Sequence, residues 1–430
     1  LSNNRVSWTF HKDKNLMTDI SIFKDKHIVL GVTGSIACYK AVDLASKLTQ
    51  AGALVDVILT DGAQQFVTPL TFQAVTGRPV YTNMWKADSA EGLPTHIAHV
   101  GLGEDADLLA IIPATANTIA KIANGMADDL LSVTALAARA PLLIAPAMDG
   151  GMYSHAALQH NLSVITSRGG LLIAPEEGRF ASGLTGLGRL PETTALMGHI
   201  RRVLGRDGEL ASQKVVISAG GTREAIDPVR FVSNRSSGKQ GHALAQSAVD
   251  AGAREVVLVT TADLPVPVGV HPIYVESAEE MLHAILRHST DADLLIMAAA
   301  VADFKPEQRA TQKIKKEDSG KAITLNLGRT ADILVEVKAQ REQTGYPRMV
   351  IGFAAESENV LSNARNKLIR KGLDLLVAND ITAHDAGFSV DTNRVVILDT
   401  EGGMDELELA SKSTISERII SRAALMLGSE

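Results

Sequence analysis

The sequence has almost no cysteine. One thiol, Cys38, stands among 430 residues, which excludes an intramolecular disulfide and any CxxC metal or redox site. Aromatic residues make up only 4% of the chain, so its cores must rest on Val, Ile, Leu and Ala. No apolar run approaches the roughly 20 residues that span a bilayer. The polar opening "LSNNRVSWTFHKDKNL" lacks the apolar centre of a secretory signal. Positive charge is not in surplus. The 42 Lys and Arg against 49 Asp and Glu leave a net charge of −7, which argues against a nucleic-acid surface as the main purpose. A G-x-G-x-x-G turn with a following acid is also missing, which removes a two-domain nicotinamide-linked oxidoreductase. These absences leave a soluble, cytoplasmic enzyme acting on small molecules, with no nucleic-acid or membrane partner, as the expectation.

What is present is α/β alternation, in a chain long enough for two domains. "HIVLGVTGS" (27–35) reads as a buried strand ending in a Gly turn. A helical pattern follows, and then the strand "LVDVILT", which makes a β–α–β unit and implies a parallel sheet. "KVVISAGGT", "QGHALAQSAVDAGA" and "EVVLVTT" repeat the logic from about residue 213, and "DADLLIMAAAVADF" (291–304) echoes "DADLLAIIPATANT" (105–118). The predicted fold is therefore α/β, with two Rossmann-like, doubly wound parallel-sheet domains. The expected boundaries are an extension outside the fold over 1–24, a first domain over 25–204, a linker over 205–213 and a second domain over 214–430.

Ligands of such sheets gather beyond the carboxyl ends of the strands. There the first half places Gly34 and Ser35 in a Gly turn opening a helix, where backbone N–H groups can meet an anion. A tight β–α turn explains these residues equally well. Thr115, Asn117 and Thr118 start another helix, and together they suit a polar heterocycle better than a cap alone. "LLIAPAMDGGMY" (142–153) carries a lone acid, Asp149, where a buried strand opens into a loop. His96 by position alone is a weak candidate. In the second half "SNRSSGKQG" (233–241) fails the P-loop pattern, because Ser233 stands where Gly is needed and Gln240 follows the lysine. It is still a polar loop opening a helix. Lys313, Lys315 and Lys316 cluster in "KIKK", and Lys367 and Lys371 share one helical face. Such clusters are ordinarily solvated surface.

The motifs taken together carry more. "GVTGSIACYK", "TPLTFQAVTG", "HIAHV", "PATANTIAKIANGMADDLL" and "PAMDGGMY" resemble the flavin-dependent cysteine decarboxylases. "SAGGTREAIDPVRFVSNRSSGKQG", "AAAVADFKP", "KIKK", "GFAAE" and "KGLDLLVAND" resemble phosphopantothenate–cysteine ligase. In this order, from residue 25 to about 425, the chain resembles the bifunctional coenzyme A biosynthesis proteins. The resemblance implies a ligase that activates 4'-phosphopantothenate with CTP as an acyl-cytidylate and joins it to cysteine, and an FMN-dependent decarboxylase that converts the product to 4'-phosphopantetheine. It implies FMN near Gly34, Ser35, Thr60, Thr115, Asn117 and Thr118, with His96 as the catalytic histidine. For the ligase it implies Asn234 and Arg230 at the acyl-cytidylate and substrate, and Lys313 in catalysis. CTP contacts fall on Asp303, Thr330, Ala331, Asp332, Ile333, Phe353, Lys367 and Lys371. Mg²⁺ is implied by the triphosphate, with Asp303 as its neighbour. A homo-oligomer, a dodecamer, is implied as well.

The chain departs from that pattern in three places. Thr330-Ala331 stands where the family more often has Asn-Pro. Ser182, in "GRFASGLTGLGRL", stands where it commonly has the cysteine that protonates an enethiol. Asp149 stands where it usually has an Asn that binds the substrate carboxylate. A hydroxyl is a far weaker acid than a thiol. Two carboxylates roughly 4 Å apart at an effective dielectric of about 20 repel by about 4 kcal/mol. Two rival readings follow: an active ligase with an impaired or altered decarboxylase half, and a non-catalytic flavoprotein regulatory module.

Overall fold

The computed structural model describes residues 22–85, 97–315, 324–356, 360–380 and 390–428. In the first half, strands β1 (His27–Val32), β2 (Leu54–Leu59), β3 (Val80–Tyr81), β4 (Leu108–Ala114), β5 (Leu142–Pro146) and β6 (Leu171–Leu172) form one sheet. Its order is 3-2-1-4-5-6 and every pair is parallel. A hairpin of β7 (Glu176–Arg179) and β8 (Thr185–Arg189) follows. The second half lays down β9 (Lys214–Ala219), the hairpin β10 (Arg223–Ala225) and β11 (Phe231–Ser233), β12 (Glu255–Thr260), β13 (Val270–Tyr274) and β14 (Leu294–Met297). After the short pair β15 (Phe304–Pro306) and β16 (Leu327–Arg329) come β17 (Met349–Glu356), β18 (Leu375–Asp380), β19 (Thr392–Asp399) and β20 (Met404–Ser411). The second sheet runs 13-12-9-14-17-18-19-20, parallel through β18 and antiparallel in its last two steps. Its first six positions repeat the order of the first sheet. Each half therefore has a switch point, between β1 and β4 and between β9 and β14, where a crevice opens at the carboxyl ends.

The strands are continuous apolar runs because helices cover both faces. Ile28, Leu30 and Val32 pack with Ala41, Leu44, Ala45 and Leu48 of the helix Cys38–Gln50 on one face, while Val29, Ile58, Leu109 and Ile111 pack on the other. Spacings of three and four put those helical residues on one stripe.

The echoed "DAD" segments serve one structural purpose. Asp107 accepts the His27 backbone N–H (2.8 Å), and Asp293 accepts that of Lys214 (2.7 Å). Asp374 does the same for Val350 (2.6 Å). Each aspartate satisfies an N–H at or near the amino end of a central strand, a group that is costly to leave unpaired when buried. The first residue of the motif serves the same end: Asp105 meets His27 Nδ1 (3.1 Å) and Asp291 meets Lys214 Nζ (2.7 Å).

The domain boundaries expected from sequence need two adjustments. Phe23, placed in the outer extension, is buried in the first core, where the Arg201 guanidinium lies 5.7 Å from its ring centre. Segment 205–213 is packed, because Leu210 is fully buried and its N–H donates to the Ala251 carbonyl (2.9 Å). An apolar leucine inside a polar stretch is drawn into the neighbouring core. Among the described residues no helix is long and apolar enough to cross a membrane.

Candidate active sites

At the first switch point Thr33 locks two strand ends together. Its hydroxyl donates to the Pro113 carbonyl (2.7 Å) and accepts the Thr115 N–H (2.8 Å). A Cβ on Gly34 would sit 2.9 Å from the Gly62 backbone, so the loops after β1 and β2 touch only because residue 34 is glycine. No side chain caps the helix Cys38–Gln50, which leaves backbone donors at its start for an anion. Ser35 is partly committed, since its hydroxyl donates to the Ala147 carbonyl (3.1 Å). Thr60 and Thr115 are helix N-caps, accepting the N–H of Ala63 (3.3 Å) and Thr118 (3.4 Å). Thr118 is buried and Asn117 exposed. The arrangement brings Gly34, Ser35 and the Thr115–Thr118 turn to one rim. Cys38 lies under it, buried, with its thiol on the Thr33 carbonyl (3.0 Å), and burial pushes that thiol above its ordinary pKa. His96 and Lys316 lie outside the described residues.

Beyond β5 two of these departures, Asp149 and Ser182, meet. The Ser182 hydroxyl donates to Asp149 Oδ2 at 2.8 Å. Asp149 Oδ1 also accepts the Gly151 N–H (3.3 Å). Ser182 stands at the tip of the β7–β8 hairpin, which is pinned over the strand exit. Met148 N–H donates to the Gly188 carbonyl (3.0 Å), and a Cβ on Gly188 would be 2.2 Å from the Met148 carbonyl oxygen. An open cavity of about 690 Å³ lies here, lined by Asp149, Tyr153, Phe180 and Leu187 among others.

The second domain holds a cavity of about 980 Å³ at its switch point. It collects Asn234, Asp303, Thr330, Ala331, Asp332, Ile333, Phe353, Lys367 and Lys371 from five stretches of chain. Several of these also build the wall. Asn234 Nδ2 donates to the Val301 carbonyl (2.9 Å), Thr330 Oγ1 donates to the Ala302 carbonyl (2.6 Å), and Asp332 caps the helix Ile333–Thr344. Lys371, nearly buried, pairs with Asp332. Arg230 and Lys313 are not on that wall. Arg230 grips Asp227 (2.5 Å) and the Ile314 carbonyl (2.8 Å), and its guanidinium holds the Asp227 carboxyl well below the usual carboxylate range. It fastens the β10–β11 turn to the segment carrying Lys313, which is exposed.

Sequence reasoning missed Arg235, Lys239, Arg329, Arg370, Asn379 and Lys412 on the same wall. Arg235, Lys239 and Asn379 sat inside quoted motifs. Lys412 comes from the start of the last helix and carried no local signal. It is buried, which with neighbouring Lys239 pushes its pKa down. Asn379 Oδ1 is buried with no partner among the described residues, so a ligand N–H could satisfy it. Among the described residues no group of three or more His, Cys, Asp or Glu could hold a metal ion.

Two sheets of Rossmann order, an anion-ready rim in one and a cation-lined cavity in the other, define a two-domain α/β protein built for phosphorylated small molecules. Residues 21–205 match the family described as Flavoprotein, and residues 210–426 the DNA/pantothenate metabolism flavoprotein C-terminal domain. The chain is 44% identical to the coenzyme A biosynthesis bifunctional protein CoaBC of Bacillus subtilis (strain 168), over 94% of this chain and 98% of that one. To its counterpart from Vibrio vulnificus (strain CMCP6) it is 39% identical, over 94% and 98%. Among solved structures it is similar to the C-terminal domain of a CoaBC protein (36% identity, 52% of this chain and 100% of that one, TM-score 0.44). It is also similar to a PPC decarboxylase variant complexed with pantothenoylaminoethenethiol (29% identity, 41% and 97%, TM-score 0.37). The chain belongs to the family of coenzyme A biosynthesis bifunctional proteins.

Proposed function

We propose that this chain performs two consecutive reactions of coenzyme A biosynthesis. The second domain ligates 4'-phosphopantothenate to cysteine at the expense of CTP, and the first decarboxylates the product with FMN. The observation that carries the reading is the second-domain cavity, where residues matched to the ligase by motif converge with further cations. A triphosphate is the counter-charge for Lys239, Lys367, Arg370 and Lys371. Lys371, held by Asp332, is placed for a phosphate oxygen, and Asn379 Oδ1 is placed to accept from an exocyclic amine of a base. Asp303 is exposed on the wall. One carboxylate plus phosphate oxygens suffices for Mg²⁺, which keeps most of its shell as water and substrate.

In the first domain the rim fits FMN. The contact of Gly34 with Gly62, which a Cβ would fill, and the uncapped start of the helix Cys38–Gln50 suit a phosphate, with Ser35 beside it. Thr115–Thr118 and Thr60 offer polar edges near a flavin ring. Bound there, FMN would supply the two-electron oxidation of the cysteine thiol that makes loss of CO₂ from the neighbouring carboxylate facile. The protein orients the substrate and moves protons.

The test is purified protein given 4'-phosphopantothenate, cysteine, CTP and Mg²⁺. The expected result is pyrophosphate release that requires CTP and cysteine, followed by CO₂ release from FMN-loaded protein. Pyrophosphate release without later CO₂ favours the ligase-only reading. Neither product leaves a binding module.

A further inference from the structure

We propose that Lys40 is a positioning residue that links the Gly34–Ser35 turn of the first domain to the β7–β8 hairpin, so that FMN binding at the turn orders the hairpin. The inference rests on the FMN reading above. Lys40 is the third residue of the helix Cys38–Gln50, the helix that opens from that turn. It is only 6% exposed, and its ammonium is aimed at the chain leaving β8. Nζ donates to the Leu190 carbonyl (2.9 Å) and to Glu192 Oε1 (3.0 Å), with the Pro191 carbonyl at 3.5 Å. Glu192 also accepts from Nη2 of Arg189, the last residue of β8 (2.5 Å). An ammonium is costly to bury unless its N–H groups are used, and an apolar side chain would fill the same space without that cost. The charge therefore serves these bonds rather than packing.

The hairpin has a second attachment, which leads back to the same turn. The Ser35 hydroxyl donates to the Ala147 carbonyl (3.1 Å), and the next residue, Met148, donates its N–H to the Gly188 carbonyl (3.0 Å). Ser35 and Lys40 thus hold β8 by two routes, one through the β5 exit and one direct. Both residues belong to the short segment that would receive the phosphate. No side chain caps its helix, and helix ends fray unless their donors find a partner. The hairpin is itself lightly held, since Gly188 is the one buried residue of β7 and β8. An element with so few buried contacts opens easily, and its position depends on its anchors. A phosphate on the turn fixes the first helical turn and with it the Lys40 ammonium, which restricts residues 189–192. Phe180, Leu184 and Leu187 of the hairpin line the cavity of about 690 Å³. A ligand entering beneath an already ordered hairpin loses less freedom on binding, which couples the two sites without a change of fold.

Hydrogen exchange on full-length protein, with and without saturating FMN, reads the link in the absence of turnover. In the unsubstituted protein FMN is expected to slow exchange by about fivefold or more both at the turn (33–40) and in the hairpin (176–189). In Lys40→Met FMN is expected still to bind and to protect the turn, while hairpin exchange stays within about twofold of the FMN-free rate. Lys40→Arg, which keeps the charge and the donors, is expected to restore hairpin protection. Retained FMN binding checks that each variant's first domain has folded. If Lys40→Met fails that check, Glu192→Ala, at an exposed partner of Lys40, takes its place, with hairpin protection by FMN expected to fall to about half or less. Hairpin exchange that ignores FMN in the unsubstituted protein, or that slows equally in the variant, overturns the link. Unsubstituted protein that binds no FMN overturns the flavin reading itself.

Discussion

Lys371 shows how one side chain ties the second cavity together. It is nearly buried, and Asp332 holds its ammonium from the start of the preceding helix, Ile333–Thr344. A charge-assisted contact of this kind contributes about 1.5–3 kcal/mol. Lys371→Met removes that contact and leaves Asp332 as a bare negative charge facing a triphosphate. The KM for CTP in pyrophosphate release is expected to rise roughly 10–100-fold, at about 1.4 kcal/mol per decade. An unchanged KM would remove Lys371 from the nucleotide site. Cys38 allows a simpler check. Burial raises its pKa and its thiol already has a partner, so little thiolate is present near neutral pH. Native protein is expected to show no fast-reacting thiol toward a chromogenic disulfide, and one per chain after unfolding. Helical spacing puts Lys367 and Lys371 on one face, but only the family resemblance linked that face to a nucleotide. Local pattern could not predict Lys412, which reaches the same wall from the far end of the chain, nor that Ser182 and Asp149 touch. Those depend on how a hairpin folds back over a strand end.

At the scale of elements, the parallel strands were readable because burial on both faces demands unbroken apolar runs. The reason for the echoed "DAD" was not, since the aspartates act across to a neighbouring strand. A related network joins β1 to β2. His27 Nε2 lies 2.5 Å from Asp56 Oδ2, and Arg78 clasps the same carboxylate with two bonds of 2.8 Å. Asp56 is wholly buried, which by itself would raise its pKa, yet His27 and Arg78 bring it below the ordinary value. Burial likewise opposes a charge on His27, but Asp56 and Asp105 overcome it and raise its pKa. Asp56→Asn leaves two cations facing an amide in the interior and is expected to cost about 3–5 kcal/mol. The pH dependence follows from the directions. The contribution of Asp56 is present above its unfolded pKa of about 3.9 and is lost as pH falls through its depressed folded value. The contribution of His27 is complete below about 6.5 and is lost as pH rises through its elevated folded value. The Tm gap between wild type and Asp56→Asn is therefore expected to be widest between about pH 4 and 6.5, narrowing on both sides. A gap still growing at alkaline pH would refute the ionic account.

Two domains could be read from length and from repeated β–α–β patterns, whereas the way they join depends on a few contacts without a sequence signature. The helix Thr193–Gly205 closes the first domain and lies against Lys239–Asp250 of the second. Arg201 reaches across to Asp250, with Nε 2.9 Å from Oδ1, while its guanidinium covers Phe23. A Cβ on Gly205 would sit 2.3 Å from the Asp250 carbonyl oxygen, so the helices approach this closely only because residue 205 is glycine. Arg201 is thus one residue on which the entry segment, the end of the first domain and the start of the second all converge. Arg201→Ala removes a partly buried charged hydrogen bond and uncovers Asp250, at an expected cost of about 2 kcal/mol. The loss falls on the junction, since neither sheet contains the residue. Calorimetry is therefore expected to resolve unfolding of the variant into two transitions spaced further apart than in the wild type. Each isolated reaction should keep its rate at low temperature, because Arg201 touches neither cavity wall. If the transitions move down together with unchanged spacing, Arg201 stabilises the first domain internally and the junction rests on its other contacts, the close approach at Gly205 among them.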